Sequence, residues 1–150
     1  MILLDTDHLN MLVYRQGTAS TRLVENMENS FDQDFATTIV SVEEQMRGWL
    51  AEIHRHRELR KQLVPYHRLA ELIDFWTQWE VIRIDERVAD EFERLRKQRI
   101  RVGTQDLKIA AVAIAHDATL LLRIFATLKR SRDCTSKIGF TDRGGPAGGR

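Results

Sequence analysis

The sequence predicts an α/β domain built around a central parallel sheet. Three observations predict it. Short apolar runs alternate with longer stretches of helical period, which is how strand–helix–strand units read. The first run is apolar without alternation, the form taken by a strand buried on both faces. The stretch from Leu107 to Ala115 is apolar around nearly its whole circumference, as a helix lying deep in the domain must be.

Met1-Ile2-Leu3-Leu4 is the first strand, and it stops at Asp5. Thr6 and Asp7 can cap a helix carrying Leu9, Leu12 and Val13. Gly17 ends that helix, and Thr18 begins another through Leu23, Val24 and Met27. Residues 35–40, rich in β-branched side chains, form the second strand. Ser41 and Glu44 have capping-box spacing and open a helix through Met46, Trp49, Leu50 and Ile53. From His54 to Trp79, apolar residues recur in steps of three and four, with Pro65 expected to kink the stretch or start a second helix. The product is a long helical hairpin with Arg55, Arg57, Arg60 and Arg68 on its outer face. Residues 81–84 are the third strand. Asp85 caps a helix whose inner face is Val88, Phe92 and Leu95. The run Arg94, Arg96, Lys97, Arg99, Arg101 closes it, where cations suit the helix dipole. Gly103 breaks the chain, Thr104-Gln105-Asp106 starts the apolar helix, and residues 118–122 are the fourth strand.

The chain has 150 residues, enough for one domain with a real core. Its lone cysteine, Cys134, cannot make an intrachain disulfide, and no C-x-x-C pair is present, so the cytosol is the expected compartment. No apolar run approaches the roughly 20 residues that span a bilayer. The N-terminal run meets Asp5 too early for a signal peptide. Charge is uneven: residues 121–150 carry seven Lys or Arg against two acids, while the rest is net acidic. A basic tail of this kind binds nucleic acid or is simply solvated.

Three acids draw chemical interest. In an open parallel sheet, ligands bind beyond the carboxyl ends of the strands. Asp5 ends the first strand, Glu44 lies just after the second, and Asp106 starts the helix before the fourth. Carboxylates converging at one edge repel one another unless a cation neutralises them. Oxygen-only ligands suit Mg²⁺ or Mn²⁺, and no Cys/His set has zinc spacing. Each acid also has a structural role open to it: Asp5 as a helix cap, Glu44 as the partner of Ser41, Asp106 as a favourable charge at a helix N-terminus. His8 reads as a surface histidine.

Leu4-Asp5-Thr6-Asp7, then Ser41-Val42-Glu43-Glu44-Gln45-Met46-Arg47-Gly48, then Gly103-Thr104-Gln105-Asp106-Leu107-Lys108-Ile109-Ala110-Ala111 resemble a PIN domain. More narrowly, they resemble the VapC-type toxins of bacterial toxin–antitoxin pairs. The resemblance covers roughly residues 1–122. It implies a PIN-like α/β/α sandwich with a central parallel sheet and a protruding helical hairpin. It also implies a Mg²⁺-dependent (or Mn²⁺-dependent) ribonuclease that cleaves RNA, commonly forms a homodimer, and is silenced by a VapB-like antitoxin. The family's metal-binding and catalytic roles fall on Asp5, Asp106 and Glu44. Asp7 is a helper, and Thr104 orients Asp106 or contacts the substrate phosphate. The antitoxin inserts a segment into a groove formed in part by the hairpin.

The resemblance stops at the fourth strand. Family members continue with a T/S-x-N-x-x-D-F segment. Here its Thr/Ser, Asn, acid and aromatic positions hold Leu122, Ile124, Thr127 and Leu128. Residues 123–150 form an atypical basic, Gly-rich tail, as a shift of reading frame near codon 122 would produce. Asp133 is a weak substitute for the missing acid. The alternative function is therefore a catalytically impaired PIN module that only binds antitoxin or RNA. A phosphotransfer receiver fits less well, because no Lys is well placed near a late strand.

Overall fold

The computed structural model describes residues 1–14 and 17–121. The tail 123–150, with Asp133 and Cys134, lies outside the described residues. In chain order the elements are β1 (Ile2–Leu4), α1 (Thr6–Tyr14), α2 (Gly17–Glu28), β2 (Phe35–Thr38), α3 (Ile39–Arg55), α4 (Leu59–Trp76), β3 (Glu80–Ile82), α5 (Glu86–Lys97), α6 (Thr104–Ala115) and β4 (Thr119–Leu121). The strands form one parallel sheet in the order β3-β2-β1-β4. The expected α/β class and parallel sheet are observed.

The strands are only three or four residues long, yet each serves two cores. Successive strand residues point to opposite faces. Leu3, Ala36, Ile82 and Leu120 enter the core beneath α5 and α6, with Val88, Leu95, Ile109 and Val112. Ile2, Leu4, Phe35, Val81 and Leu121 enter the opposite core, with Leu9, Leu72 and Trp76 from α1 and α4. This is the α/β/α sandwich. It explains why the first strand shows no polar alternation: neither face meets water. Leu3, Leu4 and Leu120 are at most 1% exposed. The small side chains of α6 let it approach closely, and Ala111 and Val112 are fully buried.

Several boundaries differ from expectation. The second strand ends at Thr38, whose side chain accepts a hydrogen bond from the Ser41 amide and so caps α3. Ser41 is therefore inside the helix, fully buried, and does not form the capping box. The first helix is capped by Asp5 rather than Thr6 or Asp7, because Asp5 Oδ1 accepts from the His8 amide at 2.9 Å. Gly17 opens α2 with φ +80, a conformation that suits glycine, instead of closing α1. Pro65 sits buried inside α4, which begins a turn and a half earlier, at Leu59. The helical hairpin is thus α3 and α4. Gln62 bonds the carbonyls of Ile53 and His56 at the end of α3, which ties the connection down. Arg55, Arg57, Arg60 and Arg68 are exposed, as expected.

The predicted cap of α5 is present: Asp85 Oδ1 accepts from the Val88 amide at 2.9 Å. Replacing Asp85 with Ala should cost about 1 kcal/mol in denaturant unfolding. Leu120→Ala, which opens a cavity between sheet and α6, should cost about 2–5 kcal/mol. Equal losses from the two variants would show that the sheet is not the more stringently packed part.

Candidate active site

The strand order places a topological switch between β1 and β4. From β1 the chain builds β2 and β3 on one side, then returns to add β4 on the other. In open α/β sheets the crevice at the carboxyl end of such a switch is where ligands bind. Asp5 stands at the end of β1, at one wall of that crevice. The helix that leads into β4, α6, carries Asp106 in its first turn.

Two hydrogen bonds draw the acidic segments together. Thr6, next to Asp5, donates its hydroxyl to Glu44 Oε2 on α3. Gln105, next to Asp106, donates to Glu43 Oε2 at 2.7 Å. Glu43 and Glu44 are adjacent on α3, so this helix links the end of β1 to the start of α6. Below them, Thr37 donates to the Leu4 carbonyl at 3.3 Å and locks the ends of β1 and β2 together.

The carboxylates themselves have different settings. Asp5 holds His8 Nδ1 at 2.6 Å as well as the His8 amide, with side chains only 13% and 12% exposed. Glu44 is half-buried. Asp106 is exposed, and its side chain turns back toward the helix start, where a Cβ on Gly103 would lie 3.0 Å from Oδ2. Glycine at 103 therefore leaves room for that carboxylate. Asp7 and Thr104 are exposed, and neither side chain bonds another described residue. Among the described residues, no three His, Cys, Asp or Glu side chains converge on one point as a ready metal cage. The donors are nonetheless all carboxylates. That set suits a hard cation held by one or two of them with water completing its shell.

Beside this corner lies a groove of about 830 Å³ between α1, α3 and α4. Thr6, Asn10 and Tyr14 line it from α1, Glu44, Gln45 and Trp49 from α3, and Lys61, Val64 and Pro65 from α4. Gln45 is buried and donates to Asn10 Oδ1 at 2.8 Å. Trp49 donates its indole N–H to the Tyr14 hydroxyl at 3.1 Å and meets that ring edge-on.

Sequence reasoning took His8 for a surface residue; it is packed against Asp5 instead. The signal available was their i,i+3 spacing across a helix start. The Gln105–Glu43 link had no sequence signal, because it joins elements 62 residues apart. Trp76 and Trp79 form a cluster with Phe75, in keeping with a core role.

A crevice at an α/β switch point, bordered by acids, is where an open α/β domain binds its ligand. The family model for the PIN domain matches residues 2–123, and the chain belongs to that family. No curated protein sequence matches it. The fold is similar to that of VapBC2 from Rickettsia felis bound to a DNA fragment from its promoter. That match has TM-score 0.64 and 20% identity, and it covers 89% of this chain and 95% of the other. A toxin–antitoxin complex from Klebsiella pneumoniae matches with TM-score 0.63 and 19% identity, over 87% and 92% of the two chains. FitAcB from Neisseria gonorrhoeae matches with TM-score 0.61 and 23% identity, over 83% and 88%.

Thr6→Val removes the hydroxyl that Glu44 accepts and leaves a half-buried carboxylate without it. The variant should lose about 1 kcal/mol of stability in denaturant unfolding. An unchanged midpoint would show that Thr6 does not hold Glu44.

Proposed function

We propose that this chain is a VapC-type toxin, an endoribonuclease that hydrolyses RNA with Mg²⁺ or Mn²⁺ and is silenced by a VapB-like antitoxin. The observation that carries the reading is the pair of hydrogen bonds, Thr6 to Glu44 and Gln105 to Glu43. They tie the segments bearing Asp5, Glu44 and Asp106 to one corner of a PIN domain. In this reading Asp5 and Asp106 hold the cation. Glu44 helps hold it or takes a proton from the attacking water. Asp7 assists, and Thr104 orients Asp106 or contacts the scissile phosphate. Bound there, a divalent cation supplies charge neutralisation for the phosphodiester and a more acidic water. His8 competes for Asp5, so it sets how readily that carboxylate is released to other partners.

The groove between α1, α3 and α4 is the proposed antitoxin seat. Tyr14, Trp49, Val64 and Pro65 offer apolar contacts, while Glu44 and Glu52 offer negative charge. A partner segment combining apolar side chains with a basic one fits that lining. The resemblance adds a homodimer, and the cysteine usage a cytoplasmic location; among the described residues no helix is long and apolar enough to cross a membrane.

One observation favours a second reading, a PIN module that binds antitoxin or RNA without cutting. Asp5 is engaged by His8, and among the described residues no three acids converge. The sequence also lacks the N-x-x-D segment at Ile124 and Thr127.

Purified protein incubated with total RNA in Mg²⁺ or Mn²⁺ should cleave it, and EDTA should stop the reaction. Asp5→Ala and Asp106→Ala should each lower the rate at least ~100-fold; Asp106→Ala should leave the thermal midpoint near that of the parent, while Asp5→Ala, which also removes the cap of α1, should cost about 1 kcal/mol of stability without unfolding the chain. Cleavage that survives EDTA or both substitutions would overturn the mechanism. Folded protein that yields no product in either metal would favour the binding module.

A further inference from the structure

The cationic run at the end of α5 divides in two. Arg94 pairs with Glu91 at 2.7 Å and Arg96 with Glu93 at 3.6 Å, each one turn back on the same helix. Lys97, Arg99 and Arg101 are exposed and have no acidic partner among the described residues. No acid lies between residues 97 and 103. The dipole of α5 accounts for a cation in its last turn, but that effect fades beyond the helix end. Arg99 and Arg101 stand past that end, on the connection that runs directly into Gly103 and the Asp106 turn.

The connection is also fixed in orientation. Ile100 and Val102 pack against the core beneath α5 and α6. Their anchoring turns the alternate residues, Arg99 and Arg101, outward. Arg99 takes the left-handed backbone, φ +51, with which helices commonly end, and so marks where α5 stops and the connection begins. An acid-free row of exposed cations on the connection that leads into an acidic corner is suited to a polyanion whose backbone must be held next to that corner.

We propose that Lys97, Arg99 and Arg101 form a cationic rim that grips the phosphate backbone of the RNA strand entering the Asp106 corner. The proposal rests on the ribonuclease reading and names where that site takes hold of its substrate. Phosphate contacts position a nucleic acid without reading its sequence, so the rim acts on affinity and not on base preference.

The test uses the full chain with Lys97→Ala, Arg99→Asn and Arg101→Ala combined; Asn tolerates the left-handed backbone at 99. A second variant, Arg94→Ala with Arg96→Ala, removes the paired cations of the same run. Binding of a labelled single-stranded oligoribonucleotide is measured in EDTA across a salt series, and cleavage in Mn²⁺. The triple variant should raise KM about tenfold or more with kcat little changed. Its salt slope should fall by roughly two, at about 0.7 per phosphate contact on a single strand. The double variant should lose clearly less affinity than the triple, since Glu91 and Glu93 offset the charges of its arginines and it leaves the connection to Asp106 untouched. Equal RNA affinity for parent and triple variant overturns the rim and leaves these cations to a protein partner. Equal losses in the triple and double variants overturn it too, since the effect is then net charge alone. A parent that binds RNA through the rim but cleaves none in metal sinks the nuclease reading and leaves the rim standing. A parent that neither binds nor cleaves sinks both.

Discussion

A charged carboxylate cannot be carried between two apolar cores, and that constraint organises this molecule. The strand β1 lies at the centre of the sheet, paired on both edges and covered on both faces. Burying an unpaired Asp there would cost far more than the strand gains from one more pair of ladder bonds. So the strand ends where Asp5 begins, and Asp5 turns its side chain onto the first amides of α1. The same boundary puts an acid at the mouth of the switch point. Fold and candidate site are in this sense set by a single transition from apolar to charged residues.

That transition is visible in a linear sequence, and so is most of the architecture. Four short apolar runs and the near-uniform apolarity of Leu107–Ala115 are consequences of two-faced burial, and they read directly. What misread is local hydrogen bonding. Thr38 and Ser41 are both good N-caps, and Ser41 has a Glu three residues on, so pattern alone favours Ser41. Burial decides otherwise: with Ser41 fully buried, the helix must start one turn earlier, on Thr38. Glu44, freed from Ser41, bonds Thr6 across the crevice. The correction follows from tertiary packing, and it moves Glu44 from a capping role to the shared corner. Pro65 illustrates the same point, since α4 continues through it: the helix forgoes the bond from residue 65 to the Lys61 carbonyl and keeps Pro65 buried in its packing.

The corner is held by neighbours of the acids more than by the acids. Thr6, Gln105 and Glu43 make the bonds between segments, while Asp106 stays exposed and Asp5 is engaged locally with His8. Such a division has a physical logic. Groups that must exchange partners during a reaction are better spared as ties, and of the three acids Glu44 alone also serves as one, through Thr6. The sequence showed the acids because strand ends are conspicuous. It hid the ties, because a glutamine 62 residues from its partner has no periodicity to betray it.

Electrostatics then ties the site to the rest of the run at α5. An acidic corner repels a polyanion, and bringing RNA to it requires opposite charge both among the acids and around them. The first is the part a divalent cation would take. The second needs fixed cations that are not already neutralised, which rules out Arg94 and Arg96 and leaves Lys97, Arg99 and Arg101. The pairing of the former with Glu91 and Glu93 is thus informative about the latter. The ion pairs stop at Arg96, and among the described residues no acid stands within ion-pair distance of the three cations that follow. Ile100 and Val102, packed on the core, alternate with Arg99 and Arg101 and leave both arginines exposed on the approach to Asp106.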